Sequence, residues 1–204
     1  MSEFIEFGRY PYTEDGSASS VKWKVLYEQS KWLLIVTENV IDVLPFAKKT
    51  WRREGWYYSG IRTYLNKSFY MRAFSPQEKQ RIIKTSTVNH SNPLTKDFSF
   101  GPDTEDMVFL LSVYGAKRYF EMDQDRMCKP TPFAESKLVH HHENGCCPWW
   151  LRTNGLWEPY DPKNDSELSG VTCSARVDHT GNIDLYGLSM ETVQGIRPAI
   201  IIRP

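Results

Sequence analysis

The sequence has no long apolar run. None of its 204 residues sits in a stretch approaching the roughly 18–20 consecutive apolar residues of a membrane helix, so membrane insertion is not expected. Its first residues, Met1-Ser2-Glu3-Phe4-Ile5-Glu6, lack a basic start followed by an apolar segment. That excludes a secretory leader on these residues and points to a cytoplasmic protein. Cysteine is scarce: four in the whole chain cannot form the disulfide framework of a small secreted domain. Net charge is missing as well. Twenty-five Lys and Arg cancel 25 Asp and Glu, so no global field draws in nucleic acid or an acidic membrane. No established catalytic motif occurs, no internal repeat, no low-complexity segment and no domain linker, so residues 1–204 read as one domain.

Aromatic residues are what the chain has in quantity. They make up 14% of it, with seven Trp and eleven Tyr. Large aromatic area favours strands and a substantial core, or a surface that stacks on flat ligands. Two short segments late in the chain carry the pattern furthest. Pro148-Trp149-Trp150-Leu151-Arg152 and Gly195-Ile196-Arg197-Pro198-Ala199-Ile200 are apolar, strand-like runs with an arginine inside each.

Periodicity divides the rest. Residues 5–10, the alternating run 22–27, the continuous apolar run 32–36 and residues 40–44 read as N-terminal strands. Ser59 caps a predicted helix over 60–72, whose apolar face is Ile61, Tyr64, Leu65, Ser68 and Phe69. Ser75-Pro76-Gln77-Glu78 is a second start signal, for a short helix to about residue 83. Residues 85–106 read as a long polar loop, 107–111 as a buried strand, and Ser112 as the cap of a helix to about 120. The last third is loop-rich, with strands expected at 149–152, 171–178 and 196–202 and a turn at 179–182.

Several segments occur in a characteristic order. They are Phe7-Gly8-Arg9-Tyr10-Pro11, Trp23-Lys24-Val25-Leu26, Ser59-Gly60-Ile61-Arg62-Thr63-Tyr64-Leu65-Asn66, Phe109-Leu110-Leu111-Ser112, Trp149-Trp150-Leu151-Arg152 and Gly195-Ile196-Arg197-Pro198-Ala199. In this the chain resembles a bacterial family known as domain of unknown function 6273. The resemblance implies an α+β, C-type-lectin-like fold: a curled antiparallel sheet, two or three short helices and long C-terminal loops. Proteins of that fold bind glycans or proteins through those loops, although a fold does not establish a function. The chain departs from the family pattern at Tyr64, where a tryptophan is expected, and at Thr153-Asn154-Gly155, where Ser-Pro-Gly is expected. The calcium-dependent sugar site of true lectins needs Glu-Pro-Asn or Gln-Pro-Asp, and Glu158-Pro159-Tyr160-Asp161 lacks the amide ligand.

The reading that follows is a non-enzymatic binding module for a protein or carbohydrate surface, with no cofactor and no bound metal. Its recognition face comprises residues 153–170 and 178–194, with Trp157, Glu158, Tyr160, Asp161 and Tyr186 as ligand-binding residues. The rival reading is an enzyme, with or without a metal, using His140, His142, Cys146 or Cys173. Cys147 belongs to the same thiol cluster, but adjacent residues of an extended chain point apart, which is poor ligand spacing for zinc. Cys173 with His179 is the corresponding nucleophile–base candidate. Arg62, Arg152 and Arg197 are expected to bond carbonyls or carboxylates within the fold, since arginine is rarely buried unpaired. The loop carboxylates Asp103, Glu105 and Asp106 read as a solvated surface.

Overall fold

A computed structural model of the chain describes residues 4–48, 55–95, 101–138, 140–156 and 173–204. It is mixed α+β. Four strands open the chain: β1 (Phe4–Pro11), β2 (Ala18–Gln29), β3 (Trp32–Thr37) and β4 (Asp42–Pro45). A helical stretch follows, formed by α1 (Gly60–Tyr64), a π-helical turn (Leu65–Phe69) and α2 (Tyr70–Ala73). Helix α3 (Pro76–Arg81) leads into β5 (Ile82–Ile83), β6 (Thr85–Thr87) and β7 (Thr104–Asp106). Three short helices come next, α4 (Val113–Tyr119), α5 (Asp123–Arg126) and α6 (Pro132–Glu135). The chain closes with β8 (Trp149–Asn154), β9 (Cys173–Val177), β10 (Ile183–Ser189), β11 (Val193–Ile196) and β12 (Ala199–Ile202).

The strands form two five-stranded sheets and a two-stranded ribbon. The first sheet has the order β1-β2-β3-β12-β5, the second β10-β9-β8-β11-β4, and β6 pairs with β7. The first sheet is antiparallel throughout and bulges between Glu6 and Arg9 and between Val25 and Tyr27, which bends and curls it. In the second sheet one pair, β11 with β8, is parallel. The core between the sheets is continuous, with Trp23, Trp56, Trp149, Trp150, Phe46 and Phe120 among its largest fully buried side chains.

Three corrections to the sequence reading have clear physical causes. The stretch 196–202 is two strands, not one. β11 ends at Ile196 in the second sheet, and β12 starts at Ala199 in the first. Pro198 has no N–H for a ladder, so the chain changes sheets at the Arg197-Pro198 corner. The segment 85–106 is anchored by the β6–β7 ribbon rather than being a free loop. Residues 108–111 are buried as expected and Met107 is half-buried, but the segment forms only an isolated bridge, Phe109 to Ala199, because its backbone turns to meet several partners.

The helix caps follow their sequence signals. The Ser59 side chain accepts from Arg62 N, that of Ser112 from Gly115 N, and Ser75 with Glu78 completes a reciprocal capping box. Ile61, Leu65 and Phe69 are buried, as their spacing predicts, whereas Ser68 is exposed and Tyr64 half-buried. Trp149 and Trp150 point to opposite faces of β8, and both are fully buried. Trp149 faces the core side with Val177, while Trp150 packs edge-on against Phe46 at 5.8 Å and donates to Leu44 O.

Candidate functional site

The arginines read as internal pins have distinct roles. Arg197 is 3% exposed; its guanidinium lies 5.1 Å from the Phe120 ring and 5.2 Å from the Trp149 ring, and Nε donates to Thr37 O at 2.8 Å. Arg152 donates to Leu110 O and Val88 O, and burial pulls its pKa down to about 10. Arg62 is only half-buried. Its Nε reaches Asp106 Oδ1 at 2.7 Å. Asp106 corrects the surface reading of the loop carboxylates: its side chain is fully buried. Beyond Arg62 it accepts from Trp56 Nε1 at 2.9 Å, Thr87 Oγ1 at 2.9 Å and Thr104 Oγ1 at 2.5 Å. This network ties the start of α1 to the β6–β7 ribbon, and a period-based reading cannot find it because Asp106 lies in a polar stretch.

The histidine–cysteine cluster consists of buried thiols and stacked imidazoles. All four cysteines are buried thiols. Burial pushes the Cys147 thiol up to about 12 and raises Cys128 as well, so neither is a thiolate at neutral pH. His142 stacks on His179 with ring centroids 3.8 Å apart and planes 3° apart. Imidazole lone pairs lie in the ring plane, so two parallel stacked rings cannot converge on one ion. Among the described residues no group of three His, Cys, Asp or Glu is placed to hold a metal. Cys173 begins β9 and His179 follows its far end, which separates them by about 20 Å of extended chain.

A second polar cluster lies between β1, β4, the helical stretch and α6. Tyr10 donates to Asp42 Oδ2 at 2.7 Å, its hydroxyl meets that of Tyr64, and Lys137 Nζ sits 2.7 Å from Asp42 Oδ1. Desolvation raises the pKa of both phenols, so they remain neutral hydroxyls and neither serves as a base. Tyr10 borders a groove of mixed polarity, about 410 Å³, over β1 and β2, whose Lys22 and Glu38 pair at 3.1 Å. Tyr64 borders a larger, mostly apolar groove of about 560 Å³ between β4 and α1.

Of the predicted ligand residues, Trp157, Glu158, Tyr160 and Asp161 lie outside the described residues. Tyr186 is described and is 46% exposed on β10. Its exposure is built in. The β9–β10 register shifts between Asp184 and Leu188, bulging the strand at Tyr186. Gly187 adopts φ 75°, and a Cβ there would come within 2.0 Å of Ser174 O. Tyr186 O accepts from Leu156 N at 2.7 Å, and Asn92 Nδ2 donates to both Leu185 O and Asn154 O at 2.8 Å. The backbone beneath the ring is thus fixed on both sides while the phenol projects outward.

These features describe an α+β domain with a fixed aromatic ridge at one edge of its second sheet and a groove at the other. Residues 29–204 match the family described as Domain of unknown function (DUF6273), and the chain belongs to that family. No curated protein and no solved structure matches the chain. Among the described residues no helix is long and apolar enough to cross a membrane.

Proposed function

We propose that this chain is a single, non-enzymatic binding domain of C-type-lectin-like fold that recognises a glycan or protein surface through its C-terminal face. The observation that carries this reading is the Tyr186 ridge: an exposed aromatic ring on a backbone held by Gly187, Leu156 and Asn92. A ring on a rigid support supplies contact area at low entropic cost, the property of a binding hot spot. Trp157, Glu158, Tyr160 and Asp161 are assigned to the same face by the sequence reading alone.

Probing a glycan array and an immobilised bacterial surface extract with the wild-type chain, Tyr186→Ala and Trp157→Ala tests the reading. Any ligand recovered should be lost, by about tenfold or more in affinity, in both variants, with melting temperatures close to wild type. A ligand that both variants bind like wild type would remove the C-terminal face from the proposal.

A further inference from the structure

The groove between β4 and α1 lies at the opposite edge of the second sheet from Tyr186. Four strand spacings, about 19 Å, separate the edge strands β10 and β4. It is therefore separate from the Tyr186 ridge, and it calls for its own explanation. Its volume of about 560 Å³ falls in the range of small-molecule sites, roughly 300–1,000 Å³. Leu44 and Pro45 supply the apolar surface over the buried Ile61, and the Tyr58 and Tyr64 rings stand along it.

The walls are pre-formed. Ile61 N donates to Phe46 O at 3.1 Å, joining the two sides. Asn66 then locks the helical wall from behind: Nδ2 donates to Val108 O at 2.8 Å and Oδ1 accepts from Met107 N at 2.7 Å. That wall also contains the π-helical turn, in which Tyr70 N reaches back five residues to Leu65 O. Single π turns inside α-helices are found disproportionately at functional sites. A site that needs no ordering before it binds keeps more of its contact energy as affinity.

Charge selects the occupant. The described residues lining the groove include Lys48 and Lys67 and no carboxylate. No described residue neutralises either ammonium, unlike the groove over β1 and β2, where Lys22 is paired with Glu38. Arg72, one turn beyond Lys67, acts on the Tyr64 hydroxyl in the same direction, favouring negative charge. An uncharged apolar ligand would use the floor and leave both lysines idle, and an acidic ligand without an apolar body would leave the floor wet.

We infer that this groove binds a small organic anion with an apolar body, such as an aryl or medium-chain alkyl carboxylate or sulfonate. The apolar body lies on Leu44 and Pro45 between the tyrosine rings, and the anionic head is met by Lys48 and Lys67.

Fluorescence titration with 1-anilinonaphthalene-8-sulfonate, followed by competition with octanoate, tests the inference on the full chain. Circular dichroism melting confirms that each protein is folded. Saturable one-to-one binding that octanoate displaces is expected for wild type. Thr63→Trp, an exposed position on the groove wall, should abolish it by filling the space. Lys48→Glu with Lys67→Glu should weaken it by at least about tenfold. Lys31→Glu with Lys117→Glu, the same charge change at exposed positions elsewhere, should leave it within about twofold. Absence of saturable binding, or binding that survives Thr63→Trp or the groove charge reversal, would overturn the inference. Because Tyr186 plays no part in this assay, its outcome is independent of the C-terminal face.

Discussion

Replacing Asp106 with alanine is the sharpest test of how the fold is held. The carboxylate is fully buried and accepts from Arg62 Nε, Trp56 Nε1, Thr87 Oγ1 and Thr104 Oγ1 at 2.5–2.9 Å. Truncation leaves the half-buried guanidinium without its counter-ion and an indole N–H with one remaining acceptor, Thr104 Oγ1 at 3.1 Å. The two threonine hydroxyls can turn to each other or to Thr104 O, so they recover part of their bonding. Breaking a buried ion pair by removing one partner costs about 3–5 kcal/mol, and the recovered threonine bonds place this case near the middle, about 4 kcal/mol. For a chain of this length 1 kcal/mol moves the melting temperature by about 2–4 °C, so a fall of about 8–16 °C is expected by differential scanning calorimetry. Arg62→Met in the same background should then cost little more, because its partner is already gone. A fall of less than about 3 °C, or full additivity of the two substitutions, would refute the claim that Asp106 anchors α1 to the β6–β7 ribbon.

Two further outcomes follow from single contacts. Arg197→Lys keeps the charge but loses the flat guanidinium between Phe120 and Trp149, and is expected to destabilise by about 2 kcal/mol in chemical denaturation; an unchanged midpoint would show that the stacking contributes nothing. Burial and the stacked His179, with Arg176 and His140 nearby and Asp178 opposing them, hold the His142 pKa below the ordinary histidine value. A depressed histidine binds its proton more readily in the unfolded chain, so its contribution to stability is complete above about pH 6.5 and is lost as pH falls below that value. His142→Gln should therefore flatten the loss of melting temperature between neutral and mildly acid pH, and an identical slope in the variant would exclude the stacked pair as its cause.

The N-terminal sheet was legible in the sequence because its signals are local. Alternation in 22–27 and the apolar run 32–36 mark β2 and β3, and serines with downstream partners mark the starts of α1, α3 and α4. What was not legible depends on distant partners. β5 and β6 are too short to show a period, and they are strands only because β12 and β7 lie beside them. The break at Arg197-Pro198 is written in the sequence as a proline, but an apolar run on both sides masks it until the two halves are seen in different sheets.

The same distinction separates the two proposed surfaces. Tyr186 is picked from the sequence because it is an aromatic in the 178–194 segment that the family resemblance assigns to recognition. The structure explains its exposure by the close approach of Gly187 to Ser174. The groove could not be picked, because its two walls are contributed by residues 44–48 and 58–68, and each taken alone reads as an ordinary strand end or an inward-packing helix. Helical periodicity assigned Tyr64 and Ser68 to the buried face with Ile61, Leu65 and Phe69. At the π-helical turn that face divides: Leu65 and Phe69 continue into the core, while Tyr64 and Ser68 line the groove. An interrupted helical period beside an edge strand with paired lysines is the pattern that would reveal such a groove in advance, and here it is the lysines, not the apolar residues, that distinguish a binding site from an incompletely packed seam.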